Sequence, residues 1–315
     1  MFKTAGMKTR QPRRMIHSKT WERKKIFLLI LPCLIFIFIF KYMPLWGWVF
    51  SFFQYKPGAS LLNCEFVGFD NFMKLFGNPV MRDNLLRVLR NTLGIQALNY
   101  ILMPIPMLFA IFLSEIRSKK FQKVVQTLTT LPHFISWVIM FSLASSLFGT
   151  TGLVNSIINS LGGDAVNILT TNNHVWLIQA LLNLWKSLGW SSIIYFAAIA
   201  GLDQEVYEAA MVDGASRWQR IRYITIPMLI PTFFVLLIMS IGNFLNSGID
   251  QFLAFGNALN KESIEVLDLY VYNLGIGSGQ ISFSVAVGMM KSVVAVILFA
   301  VANFTSKKIR GTSVF

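Results

Sequence analysis

The sequence predicts an all-α, polytopic membrane protein: six membrane-spanning helices with a polar, helix-prone loop between the fourth and fifth. Three observations predict it. Of the 315 residues, 55% are hydrophobic and only 13% charged, with a mean hydropathy of +0.58. Several apolar runs exceed the roughly 20 residues that a helix needs to cross about 30 Å of hydrocarbon. In lipid each span must satisfy its own backbone hydrogen bonds, which a helix does and a strongly apolar 20-mer read as a barrel strand does not.

In chain order, 1–25 is a basic tail ending in the interfacial collar Trp21-Glu22-Arg23-Lys24-Lys25. The spans follow at 26–53, 85–114, 124–148, 175–201, 227–249 and 281–305, so that 26–305 is one transmembrane domain, and 306–315 is a short tail. The start resembles a signal peptide, but the apolar run is too long. Lys41-Tyr42-Met43-Pro44 follows it in place of a small-residue cleavage site, so the span is read as retained. The outer loops, 54–84, 149–174 and 250–280, are the longer ones. They either simply connect helices or form lids and a docking surface for an external partner.

The formal charge of +14 is a topology signal and not a mark of nucleic-acid binding. Of 28 Lys and Arg, nineteen fall in the two tails and the loops 115–123 and 202–226, and the opposite loops hold Lys56, Lys74, Arg82 and Lys261. The positive-inside rule then places both termini in the cytoplasm of a multi-pass protein of the cell membrane, with some pull toward anionic headgroups. Cys33 and Cys64 stand in a span and an outer loop, which makes a disulfide between them unexpected, and no metal-ligand spacing occurs. His17, His133 and His174 are scattered and no paired carboxylates converge, so an enzyme finds no support. Repeat halves, usual in secondary carriers, are absent.

The loop is the most specific stretch. Asp203 can cap a short helix that has Glu205 and Glu208 near its N-terminal end. Ala209 and Ala210 favour helix and keep its surface shallow. Gly214 permits a sharp turn, Ser216-x-x-Gln219 fits a capping box, and Pro227 suits the first turn of the fifth span. The expectation is a helix, a turn and a second helix along the inner membrane face.

Here the sequence resembles a known family. The spacing Glu208-Ala-Ala-x3-Gly214-x9-Ile224-x-Ile226-Pro227 matches the EAA loop of permease subunits of binding-protein-dependent ABC importers, with Ile226 where that family usually has leucine. Asn91-Thr92-Leu93, Leu131-Pro132-His133-Phe134-Ile135-Ser136-Trp137, Leu184-Trp185-Lys186-Ser187-Leu188-Gly189-Trp190 and Ala286-Val287-Gly288 with Lys291-Ser292 look like the branch that imports complex oligosaccharides, the alginate- and rhamnogalacturonan-type permeases. The resemblance implies a type I ABC importer permease fold. It also implies a second related permease subunit, two cytoplasmic ATP-binding subunits, and an extracytoplasmic solute-binding protein that delivers an oligosaccharide. Glu208, Ala209, Ala210, Asp213 and Gly214 would couple this chain to the ATPase. No G-x-x-x-x-G-K-[ST] occurs and Gly275-x-Gly277-x-Gly279 precedes a span, so no cofactor is expected in this chain, and ATP and Mg belong to the partner.

The translocation path is sought among polar residues in the spans, which are costly in lipid and face a cavity or another helix. Gln179, Asn183, Lys186 and Trp190 share one face of the fourth span, Thr92, Gln96 and Asn99 one of the second, and Asn243, Asn246, Ser247 and Asp250 one of the fifth. Amides hydrogen-bond sugar hydroxyls and rings stack on sugar C–H faces; the same amides also serve as glue between helices. For Lys186 two readings stand: a partner for a uronate carboxylate, or a contact with another helix. Importers of other solutes, such as peptides or polyamines, and more distantly a carrier or channel, are the alternatives.

Overall fold

The computed structural model describes residues 15–166, 168–170, 172 and 174–310, with side chains from 23 to 304 among them. The basic stretch up to residue 14, the side chains of His17, Trp21 and Glu22, and the basic side chains of 306–315 lie outside the described residues. The chain forms two compact units, Met1–Phe50 and Ser51–Phe315.

In the first unit, α1 (Met15–Ile37) passes through a π-helical turn, Phe38–Tyr42, into a 3-10 helix that begins at Met43. The turn widens just ahead of Pro44. Proline has no N–H to donate and its ring clashes with the carbonyl four residues back. The Met43 N–H reaches Phe38 O, one residue further than in an α-helix, which accommodates both. Apolar side chains from Ile26 to Trp46 are exposed on all sides, the surface of a helix whose solvent is lipid.

The second unit is helical throughout: α2 (Asp70–Gly77), α3 (Pro79–Leu102), α4 (Ile105–Ser114), α5 (Lys119–Thr130), α6 (Trp137–Phe148), α7 (Leu153–Ser160), α8 (Val175–Ala200), α9 (Gln204–Val212), α10 (Arg217–Arg220), α11 (Ile226–Ile241), α12 (Asp250–Phe255), α13 (Lys261–Ile264), α14 (Leu267–Tyr272) and α15 (Ile281–Arg310). Among the described residues the extended pairing amounts to an isolated bridge between Phe53 and Phe66.

Among the described residues, five stretches are long and apolar enough to cross a membrane: Arg23–Phe52, Pro79–Ser114, Trp137–Ser160, Arg217–Ile241 and Ile281–Phe304. The expected span at 175–201 is α8, whose 26 residues extend about 39 Å; its polar face lowers its hydropathy below that of the other five.

The structure corrects several expected boundaries. The span at 124–148 is not one helix. Pro132 lies in a 3-10 turn, Leu131–Phe134, after which Ile135 and Ser136 are extended, and the Ser136 hydroxyl takes the Ile139 N–H to start α6. The span at 85–114 begins at Pro79, capped by Asn78, and breaks ahead of Pro104. Pro227 does not open a helix. The helix starts at Arg217 and passes Pro227 by a π turn, Ile221–Thr225, with the Ile226 N–H on Ile221 O. It also stops at Ile241 and not at 249, so Asn243, Asn246, Ser247 and Asp250 do not share a helical face. The outer segment 250–280 is no plain connector: Phe252, Phe255, Ile264, Val266 and Leu267 bury in the core.

α8 is the centre, packed against α3, α4, α5, α11 and α13. Tyr195 sits with Met107, Ile111 and Leu229, and Leu182 with Ile95, Phe252 and Phe255. Gly189 lets α8 meet the end of α5 backbone to backbone, since a Cβ there would lie 2.4 Å from the Thr129 carbonyl carbon and oxygen. Gly189→Val is therefore expected to cost about 1–3 kcal/mol or more by overpacking, seen as a lower melting midpoint of the purified protein; an unchanged midpoint would mean the two helices can separate freely.

Candidate functional site

Two adjoining cavities, about 480 and 370 Å³, open along α8 and share Asn99, Met103 and Asn183 in their walls. Their polar groups form a ladder. The Asn183 Nδ2 donates to Asn99 Oδ1 at 3.2 Å, Asn99 Nδ2 to Gln96 Oε1 at 3.1 Å, and Gln96 Nε2 to Ser247 Oγ at 3.2 Å. Asn246 Nδ2 continues to Asn243 Oδ1 at 3.3 Å. The larger cavity adds Ser187, Ser191 and Trp190, and the smaller adds Ser240 and Gln251. Trp190 stacks flat on His133, centroids 4.5 Å apart and planes 2° from parallel, with its indole still half exposed. Among the described residues no charged side chain lines either cavity. The trough is uncharged: its amides and hydroxyls run beside the Trp190 ring and an apolar wall of Leu102, Leu184, Ile193, Ile194 and Leu236, with Tyr100 and Phe252 in the smaller cavity.

Lys186 shares the trough helix but turns away. Its Nζ donates to the carbonyls of Pro132 at 3.0 Å, His133 at 2.8 Å and Ile135, and sits 5.4 Å from the Trp137 ring centroid. An ammonium has three hydrogens, and here three carbonyls take them. They lie at the break between α5 and α6, where the Pro132 carbonyl also accepts the Ile135 N–H at 3.2 Å.

At the other end of α11 lies the loop. Asp203 Oδ1 accepts the Glu205 N–H at 3.0 Å and caps α9. Gly214 has φ +77°, the turn for which glycine is suited. Ser216 and Gln219 form the reciprocal capping box at α10. The Tyr207 hydroxyl meets Thr225 Oγ1 at 2.9 Å, tying α9 to the π turn. Glu208, Ala209, Asp213 and Gly214 are exposed and Ala210 is half-buried. Val212 is 88% exposed, with Met211 and Trp218 also outside.

The loop and the trough are two ends of one rod. Arg217–Ile241 is continuous helix, about 37 Å long, and the turn just beyond it carries Asn243, Asn246 and Ser247. Comparison with known proteins gives this arrangement a family. The family model of the binding-protein-dependent transport system inner membrane component matches residues 102–311. The chain belongs to this family. This permease is 40% identical over 287 residues to Protein LplB of Bacillus subtilis (strain 168), covering 90% of this chain and 89% of that protein. It is 40% identical over 301 residues to the polygalacturonan/rhamnogalacturonan transport system permease protein YteP of the same organism, covering 95% and 92%. Among solved structures, a chain of a bacterial alginate ABC transporter in complex with an alginate pentasaccharide-bound periplasmic protein superposes with a TM-score of 0.82, at 33% identity over 95% of this chain and 99% of that one. The fold is thus that of a type I ABC importer permease, a multi-pass membrane protein.

In this permease the structure brings Asn99, Asn183, Trp190, Asn243 and Asn246 together on the trough. Three other expected residues lie elsewhere. Gln179 is buried and accepts the Gln251 amide at 2.9 Å, Lys186 serves the carbonyls of the α5–α6 break, and Asp250 is exposed at the start of α12, off the trough wall. Thr92 accepts the Leu267 N–H instead of facing the trough. Gln251, Ser240 and Ser191 were missed. Gln251 reaches the trough only because 250–280 folds back into the core, which no helical phase within one span can show.

Proposed function

We propose that this chain is one transmembrane subunit of an ATP-driven importer of oligosaccharides, uronate-bearing ones included. The carrying observation is the neutral amide and hydroxyl ladder beside the half-exposed Trp190. Amides donate to and accept from hydroxyls, and they donate equally to carboxylate oxygens; an indole offers a flat apolar face to a sugar ring. The names of YteP and of the alginate transporter point to the same substrate class. Polyamines call for carboxylates, and among the described residues neither wall carries one.

The wider assembly follows from the loop. Six spans, with α8 as the polar-faced fourth, put both termini and the loop 202–226 in the cytoplasm of the cell membrane, in accord with the placement of Lys and Arg. Glu208, Ala209, Ala210, Asp213 and Gly214 then present α9 to a cytoplasmic ATP-binding subunit. Two such subunits carry ATP and Mg, a second related permease completes the pathway, and a solute-binding protein delivers the sugar from outside. The rod from Arg217 to Ile241 links a push on α9 to the polar turn at its far end.

The reading is tested by reconstituting the chain in lipid with its partner permease, ATPase and binding protein. ATP hydrolysis is then measured with neutral oligosaccharides, acidic oligosaccharides, peptides and polyamines. Stimulation by oligosaccharides is expected, and Asn183→Ala should weaken it, since an unmatched hydrogen bond costs about 1 kcal/mol or roughly fivefold. Stimulation by peptides or polyamines in place of sugars would overturn the substrate class.

A further inference from the structure

One wall of the trough is not made by a helix. α11 ends at Ile241, and Asn243, Asn246 and Ser247 stand on the turn that follows, which leaves through Gly248 at φ +75°. A turn keeps polar side chains in register only when its backbone is fixed from outside. Here the fixing group is Asp268 of α14. Its Oδ2 accepts the Ser247 N–H at 2.9 Å and the Gly248 N–H at 3.1 Å. Its Oδ1 receives Lys291 Nζ from α15. From the other side, Gln96 of α3 donates to Asn246 O at 3.5 Å and Ser247 Oγ at 3.2 Å. Two helices, α14 and α3, therefore hold three residues of one turn, and a third, α15, holds Asp268.

The pair is well enclosed, with side-chain exposures of 13% for Lys291 and 20% for Asp268. In such a place a lone carboxylate is costly, and Lys291 supplies the charge that lets Asp268 remain ionised while both its oxygens act as acceptors. Two consecutive backbone N–H groups aimed at one carboxylate oxygen, with a left-handed glycine completing the turn, make a small anion-holding concavity.

We propose that Asp268, held by Lys291, is a positioning residue of the substrate path. It fixes the turn that presents Asn246 and Ser247 to the trough and anchors the far end of the Arg217–Ile241 rod. This rests on the reading of the trough as the sugar path. Asp268 and Lys291 do not line the cavities; they act through the turn.

The test uses the complete reconstituted complex with two readouts: backbone hydrogen exchange over 243–249, and the oligosaccharide concentration that half-saturates stimulation of ATP hydrolysis. Asp268→Ala is expected to raise exchange at Ser247 and Gly248 by about tenfold or more, because both amides lose a charged acceptor, and to raise the half-saturating concentration in parallel. Exchange at wild-type level would show that the carboxylate does not hold the turn. Raised exchange with an unchanged half-saturating concentration, while Asn183→Ala shifts it, would show that the turn is no part of the substrate wall. If Asn183→Ala also has no effect, the trough is not the sugar path and both readings fall together. Should Asp268→Ala fail to assemble, Asp268→Asn combined with Lys291→Met carries the same comparison. A neutral amide oxygen then replaces the charged Oδ2 as acceptor of both N–H groups, so exchange at the two amides should rise by about threefold, with the half-saturating concentration following, and unchanged exchange overturns the proposal.

Discussion

Glu208→Lys is expected to uncouple the complex: substrate-driven ATP hydrolysis and transport are lost while membrane insertion and trough geometry persist. Glu208 is exposed on α9, away from the Tyr207–Thr225 contact that ties the helix to the rod. Among the described residues no hydrogen bond or ion pair engages its carboxylate. Val212 and Met211, four and three residues further along α9, are exposed beside it, and on the proposed reading Glu208 is the charged contact to the ATPase. Breaking a desolvated charge pair at an interface costs roughly 2–5 kcal/mol, about 30-fold or more in affinity, and a reversed charge adds repulsion. The check is sugar-stimulated ATP hydrolysis together with copurification of the ATPase. Normal stimulation in Glu208→Lys would remove the loop from the coupling role. Ser216→Ala, which removes only the α10 cap, is the milder control at about 1 kcal/mol of local stability.

The second large effect is expected at Lys186. Lys186→Met takes the ammonium from three backbone carbonyls at the α5–α6 break inside a membrane-embedded bundle; the Pro132 carbonyl keeps the Ile135 N–H at 3.2 Å, while the His133 and Ile135 carbonyls lose their ammonium donor. Hydrogen bonds to a charged group contribute about 1.5–3 kcal/mol each, partly offset because the ammonium no longer has to be desolvated. A net loss on the order of 2–4 kcal/mol should appear as a lower melting midpoint and poor yield. Transport of neutral and acidic oligosaccharides should fall by the same factor. A selective loss of acidic sugars with an unchanged midpoint would instead place the ammonium on a substrate carboxylate.

Much of this was legible in the sequence, and what was legible has a common cause. The caps at Asp203 and Ser216 and the turn at Gly214 are local: each is set by residues within four positions, so spacing alone announces them. The trough residues Asn99, Asn183 and Trp190 followed from the cost of polar groups in lipid combined with helical phase. Phase failed where the helix failed. Asn243 and Asn246 reached the trough, but from a turn beyond Ile241, and Asp250 was carried off by α12. The prolines misled in both directions. Pro227 looked like a start, yet a widened turn takes it into a continuous helix, whereas Pro132 and Ser136 do break a span. What decides between these outcomes is whether neighbouring groups supply the missing bonds, as Lys186 does at one break, and such partners lie some fifty residues away in sequence. Within Leu184–Trp190, Lys186 anchors that break, the helix contact that was one of its two readings, and Gly189 admits the α5 backbone.

The most direct test of the central claim is uptake of a labelled oligosaccharide into proteoliposomes that hold the complete complex, with ATP on the side of the 202–226 loop and binding protein on the other. An importer coupled through α9 and lined by the Asn99–Asn183 ladder should accumulate sugar only when both are present, and should lose accumulation in Glu208→Lys. Uptake that proceeds without ATP or without binding protein, or that survives Glu208→Lys unchanged, would identify a carrier or channel and contradict the coupling role of the loop.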